Sequence, residues 1–183
     1  MADVSPILQA LYVGRRDEVD ALLAEMPELD LFEAAALGQT DRVAELVERD
    51  GSVVGARSPD GFTALHLAAF FGQADVARLL ADRGADVDAV AENPLRVTPL
   101  HSAAAARQTE IARLLLEHGA DPNARQEGGF TPLHAAAQNG DEELAKLLLR
   151  RGADPRAATD DGRGASRLAR EAGHAELAQR LEQ

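Results

Sequence analysis

The 183-residue chain has no cysteine, no tryptophan, one lysine and only 3% aromatic residues. Without thiols it cannot form disulfides, thiolate zinc sites, iron–sulfur centres or a cysteine nucleophile. That suits a reducing compartment, and a cytoplasmic location is the expectation. Apolar runs such as Leu147-Leu148-Leu149 fall far short of a membrane span, so no membrane contact is expected. The start, Met1-Ala2-Asp3-Val4-Ser5-Pro6, has no basic region leading into an apolar stretch and does not read as a secretory leader. Positive charge is also scarce. Nineteen basic residues face thirty-one acidic ones, a formal charge of -12. Affinity for DNA or RNA rests on Lys and Arg neutralising phosphates, so no nucleic-acid partner is expected.

Hydrophobic residues make up 45% of the chain. With so few aromatics the core must come from Ala, Leu and Val, which favours closely packed short helices. The abundance of Ala and the use of Arg in place of Lys give the composition a bacterial look.

Self-similarity at a fixed period then decides the architecture. Three segments align: Gly61-Phe62-Thr63-Ala64-Leu65-His66, Val97-Thr98-Pro99-Leu100-His101 and Gly129-Phe130-Thr131-Pro132-Leu133-His134. Their threonines recur at intervals of 35 and 33 residues. Each is followed by a helical pattern, as in Val76-Ala77-Arg78-Leu79-Leu80, and each unit closes with Gly-Ala-Asp at Gly84, Gly119 and Gly152. A threonine is a good helix N-cap, Pro99 and Pro132 suit the first helical position, and a glycine ends the second helix. Turn pairs such as Asp60-Gly61 and Asp161-Gly162 predict projecting hairpins.

Weaker copies extend outward. Leu31–Leu37 and 43–47 form a pair, as do 6–10 and 19–23 before it. Met26-Pro27-Glu28 leaves no room for a hairpin between those two. Residues 167–173 and 177–181 form the last pair. These residues resemble the ankyrin repeat, whose signature is Thr-Pro-Leu-His-x-Ala-Ala near its start and Leu-Leu-x-x-Gly-Ala-Asp near its end. The resemblance implies an all-α repeat solenoid of stacked helix-turn-helix units with β-hairpin loops. It forms one domain over 1–183: a shortened N-terminal capping repeat at 1–28, main repeats at 29–155 and a degenerate C-terminal capping repeat at 156–183.

Catalysis has no candidates. There is no phosphate loop, GxSxG elbow, HExxH or calcium loop. His66, His101 and His134 occupy one repeat position, where the resemblance implies that they bond the capping threonine and the neighbouring unit. Carboxylates such as Asp141-Glu142-Glu143 suit helix starts. No catalytic, metal or cofactor-binding residue is therefore assigned, and folding should need no cofactor. Gly164-Ala165-Ser166-Arg167 replaces Thr-Pro-Leu-His in the last unit, and two further departures lie within the main repeats. Arg107 stands where a glycine joins the helices elsewhere, predicting a strained or rearranged loop. The loop Ala91-Glu92-Asn93-Pro94-Leu95-Arg96 lacks Asp-Gly and carries two extra residues.

The resemblance implies a noncatalytic scaffold binding another protein through its concave face and hairpin tips, monomeric when isolated. The alternative is a regulatory or inhibitory subunit of an enzyme complex. The residues expected at the binding face are Phe62, Phe70, Phe71, Asn93, Leu95, Arg96, Phe130, Gln138 and Asn139. The rival reading of the phenylalanines is packing, with Phe62 and Phe130 covering the hairpin base and Phe70 or Phe71 wedged between repeats.

Overall fold

In the computed structural model, residues 3–25 and 28–182 are described. The direct link expected at Met26-Pro27 lies outside them. Twelve α-helices form six antiparallel pairs in chain order among the described residues. They are α1 (Pro6–Tyr12) with α2 (Arg16–Glu25), α3 (Leu31–Leu37) with α4 (Thr40–Arg49), and α5 (Ala64–Phe71) with α6 (Ala74–Asp82). Then follow α7 (Pro99–Ala105) with α8 (Thr109–Glu117), α9 (Pro132–Asn139) with α10 (Glu142–Arg150), and α11 (Ala165–Glu171) with α12 (Ala175–Arg180). From α3 onward the odd-numbered helices pack along one row, each on the next, while α4, α6, α8 and α10 form a second, looser row.

Side-chain size accounts for that difference. The first row is lined by fully buried alanines, Ala34, Ala35, Ala68, Ala69, Ala103, Ala104, Ala136 and Ala137. Small side chains let helix axes approach. The second row contributes bulkier residues, with Val43, Leu80, Leu115 and Leu148 filling the space between helices of a pair and the next pair. Close spacing on one side and wider spacing on the other bend the stack, leaving a concave face on the first-row side.

The four middle units are each started by a local device. Thr63 accepts from the His66 N–H at 3.4 Å, and His66 Nδ1 accepts from the Thr63 N–H at 3.2 Å. Thr98 with His101 and Thr131 with His134 repeat the backbone-to-imidazole bond at 3.3 and 3.0 Å. The second unit uses a different pair for the same purpose. Asp30 accepts from Glu33 N–H at 2.8 Å, and Glu33 accepts from Asp30 N–H at 3.0 Å, a reciprocal capping box.

Between the two helices of a pair the chain turns through a left-handed residue. Gly72 holds it at φ 78, and the side chain of Gln108 from the next unit lies 3.0 Å from where a Cβ would sit. Arg107 keeps the same left-handed turn at φ 60. The loop is thus strained, as expected of a residue with a Cβ there, but not rearranged. The unit above accommodates it: where Gln108 overlies Gly72 and His174 overlies Gly140, the corresponding residue after Gly140 is the shorter Asp141. Arg107 also donates to the Asn139 carbonyl at 2.7 Å.

Candidate functional site: the concave groove

Loops between units project beside the concave face. Each is closed at its base by one backbone bond: Ser58 N–H to Phe62 O at 2.8 Å, Ala91 to Val97 at 2.8 Å, Gln126 to Phe130 at 2.9 Å, and Thr159 to Arg163 at 3.0 Å. The β character of the hairpins goes no further than isolated bridges, and no strand forms among the described residues. Successive loops are tied to each other. Glu92 N–H donates to Gly61 O at 2.9 Å, Glu127 to Leu95 O at 3.1 Å, and Asp160 to Gly128 O at 2.9 Å. A Cβ at residue 61 would come within 2.5 Å of the Glu92 carbonyl, so this contact requires glycine. The irregular loop has its own brace: Asn93 donates from its amide to Asp60 O at 2.9 Å and accepts from Leu95 N–H at 3.1 Å.

Histidines fasten the loops to the helices. With Nδ1 accepting from the threonine, Nε2 carries the proton and donates to a carbonyl one unit on. His66 reaches Val97 O at 3.0 Å, His101 reaches Phe130 O at 3.2 Å, and His134 reaches Ala157 O at 3.1 Å. Burial pushes His66 and His101 down to about 4 and lowers His134, so all three are neutral near pH 7. Both nitrogens of each ring are engaged in structure, which leaves no general base here. His118 differs. Its Nδ1 lies 2.9 Å from Leu114 O and its Nε2 3.1 Å from Asp82, contacts that raise its pKa. Among the described residues no three His, Asp or Glu side chains are placed to hold a metal.

Loops and first-row helices together enclose an open groove of about 450 Å³, and it is mostly apolar. Of the expected binding residues, Phe62, Phe70 and Leu95 line it. Phe70 is 43% and Leu95 56% exposed, large values for apolar side chains. Phe71 is turned away and half-buried, its ring stacked on Tyr12 with centroids 5.7 Å apart and edge-on to Phe70 at 5.2 Å. Phe71 is thus packed against Tyr12, while Phe70 keeps much of its surface open to the groove. Asn93 and Arg96 border a separate shallow depression beside Pro94. Phe130 is half-buried further along, against His134 and under the Arg163 guanidinium, 5.9 Å from its ring centre. Gln138 is exposed at the end of α9, whereas Asn139 donates to the carbonyls of Ala104 and Ala105 and joins units.

Tyr12 and Asp60 also line the groove, although neither is among the residues expected at the binding face. Tyr12, from the first unit, donates its hydroxyl to Asp60 at 2.7 Å, across 48 positions. Burial first, and this bond second, raise the Tyr12 pKa. Asp60 reads in the sequence only as a turn residue, yet it forms the wall at that end of the groove. A signal was available: Ser58-Pro59-Asp60-Gly61-Phe62 matches Thr159-Asp160-Asp161-Gly162-Arg163, with Phe where the later loop has Arg.

A profile of ankyrin repeats in three copies matches residues 7–91 and 90–160. The chain belongs to the ankyrin repeat family. Ankyrin repeats generally mediate protein–protein interaction and are noncatalytic modules. Similar ankyrin proteins include the ankyrin repeat and SAM domain-containing protein 6 of Danio rerio, 42% identical over 32% of this chain and 8% of the relative. The potassium channel AKT3 of Oryza sativa subsp. japonica is 44% identical over 35% of the chain and 7% of its own length. The human DNA-binding protein RFXANK is 33% identical over 43% of the chain and 30% of its own length. The chain thus spans less than a third of each of these relatives.

Proposed function

We propose that this ankyrin array is a noncatalytic scaffold that docks a segment of another protein in the groove between its loops and its first-row helices, around Phe62, Phe70 and Leu95. The observation that carries this reading is Phe70. A large aromatic side chain left 43% exposed, beside Leu95 at 56%, rims an apolar concavity. Exposed apolar surface gathered in a concave site marks binding, and aromatics anchor such interfaces. The net charge of -12 disfavours nucleic acid as the occupant. A cytoplasmic site of action, a bacterial source, capping roles for the two terminal units and a monomeric free state belong to the same reading.

The test is capture from an extract of the source organism with the immobilised chain, followed by amide exchange on the reconstituted complex. The reading expects protection of residues 92–105 and little change along α8. Protection confined to the second-row helices would overturn it. A single stoichiometric enzyme that co-purifies through every step would instead identify a permanent regulatory or inhibitory subunit.

A further inference from the structure

Asp60 is a carboxylate without a cation. Tyr12 donates to its Oδ2 and Ser58 to its Oδ1, both neutral hydroxyls. No basic side chain among the described residues pairs with it, and Arg57 of the same loop pairs with Glu92 at 2.9 Å instead. The other groove residues bring no ionised group. His66 and His101 are neutral, and Phe62, Phe70 and Leu95 are apolar. The groove therefore carries one negative charge at the end of an apolar surface.

The last repeat shows what such a carboxylate takes as its counterpart. There Thr159 and Asp161 stand as Ser58 and Asp60 do, with the same hydroxyl-to-carboxylate bond. Arg163, in the place of Phe62, donates to Asp161 at 2.8 Å while its guanidinium covers the Phe130 ring at 5.9 Å. Two adjoining loops of the chain thus bring carboxylate, guanidinium and aromatic face together. The groove has the carboxylate and the aromatic faces of Tyr12, Phe62 and Phe70, but no cation.

We propose that the occupant of the groove brings that cation: a protein segment carrying a Lys or Arg side chain next to apolar residues, with Asp60 as the counter-ion. This rests on the docking reading above. A carboxylate offers about four lone-pair sites, two of which are used here, so an ammonium or guanidinium can still bond to it. The neighbouring rings favour a cation through their negative faces. An acidic segment would meet both Asp60 and the overall charge of -12.

Random dodecapeptides displayed on phage and selected on the immobilised full chain test this. Selected peptides are expected to share a Lys or Arg beside apolar residues and to lose binding to Phe70→Ala. For such a peptide, Asp60→Asn should weaken binding by about tenfold or more, the range of a close, partly desolvated charge pair. Replacing the peptide's basic residue by Gln should weaken binding to the wild type but not further to Asp60→Asn. Tyr12→Phe removes the same hydrogen bond while keeping the carboxylate, and should retain affinity. Peptides that need Phe70 but tolerate Asp60→Asn, or lack a basic residue, would overturn the cation assignment and leave the docking reading intact. Dimerisation of the chain itself, abolished by Phe70→Ala and indifferent to Asp60→Asn, would do the same. If no peptide that depends on Phe70 emerges, the docking reading falls and this inference with it.

Discussion

His101 donates to the carbonyl of Phe130, 3.2 Å away and one repeat further on, while its other nitrogen accepts from Thr98. One imidazole thus begins a helix and holds the next unit's loop in place. The same arrangement at His66 and His134 makes a chain of neutral rings along the array, and the groove's outer wall hangs from it.

Replacing that ring should therefore matter more than replacing an exposed one. His101→Ala leaves a buried carbonyl and a backbone N–H unmatched and should destabilise by about 1–3 kcal/mol. His118→Ala removes an exposed helix-end contact of about 0.3–1 kcal/mol. Urea denaturation at pH 7.5 should separate the two midpoints clearly. Coincident midpoints would contradict the buried bridging role.

Acid should destabilise the array before its carboxylates titrate. His66 and His101 have folded-state values near 4, below the ordinary 6.5, so the unfolded chain takes up protons first. Their contribution is fully present above about pH 6.5 and is lost as pH falls from there towards 4. At pH 5 the loss should be about 1–2 kcal/mol for each ring. His118, shifted upward, acts in the opposite sense and only weakly. Unfolding free energies from pH 7.5 to 5 should fall, and His66→Gln with His101→Gln should flatten that fall. An unchanged slope in the double variant would refute the assignment.

Much of this was legible in the sequence because capping is local. Thr98, Pro99 and His101 lie within four positions, and their spacing alone states what they do. Asp30 and Glu33, three positions apart, form a capping box that is local in the same way. The phenylalanines were not legible, since exposure depends on remote residues. Phe71 is covered by Tyr12, fifty-nine positions earlier, while Phe70, one position before it, has no such cover. Asp60 lacks a counter-ion because position 62 is Phe. That becomes visible only beside Asp161 and Arg163, about a hundred positions later.

The accommodation of Arg107 by a shorter neighbour can be transplanted. Gly72→Arg places a side chain at φ 78 against Gln108 and should destabilise by about 1–2 kcal/mol. Adding Gln108→Asp imitates Asp141 and should recover part of that loss. A double-mutant cycle by urea denaturation measures the coupling. Strict additivity would mean that the side chain above is irrelevant.

The C-terminal pair should open before the middle of the array. The last first-row helix, α11, starts at Gly164 with no side-chain cap, and its pair has a neighbour on one side only among the described residues. Amides of α11 and α12 should exchange faster than those of α7 and α8. The reverse order would require a further contact at that end.

The central claim is that the groove around Phe70 binds. Calorimetric titration of the captured partner into wild type, Phe70→Ala and the second-row control Arg78→Ala tests it most directly. Because Phe70 is exposed and meets Phe71 only edge-on, its truncation should cost no more than about 1.5 kcal/mol of stability. It should nevertheless lower affinity by at least about tenfold, the effect of removing an aromatic anchor. Arg78→Ala should change neither. Undiminished affinity in Phe70→Ala with an intact fold would contradict the account.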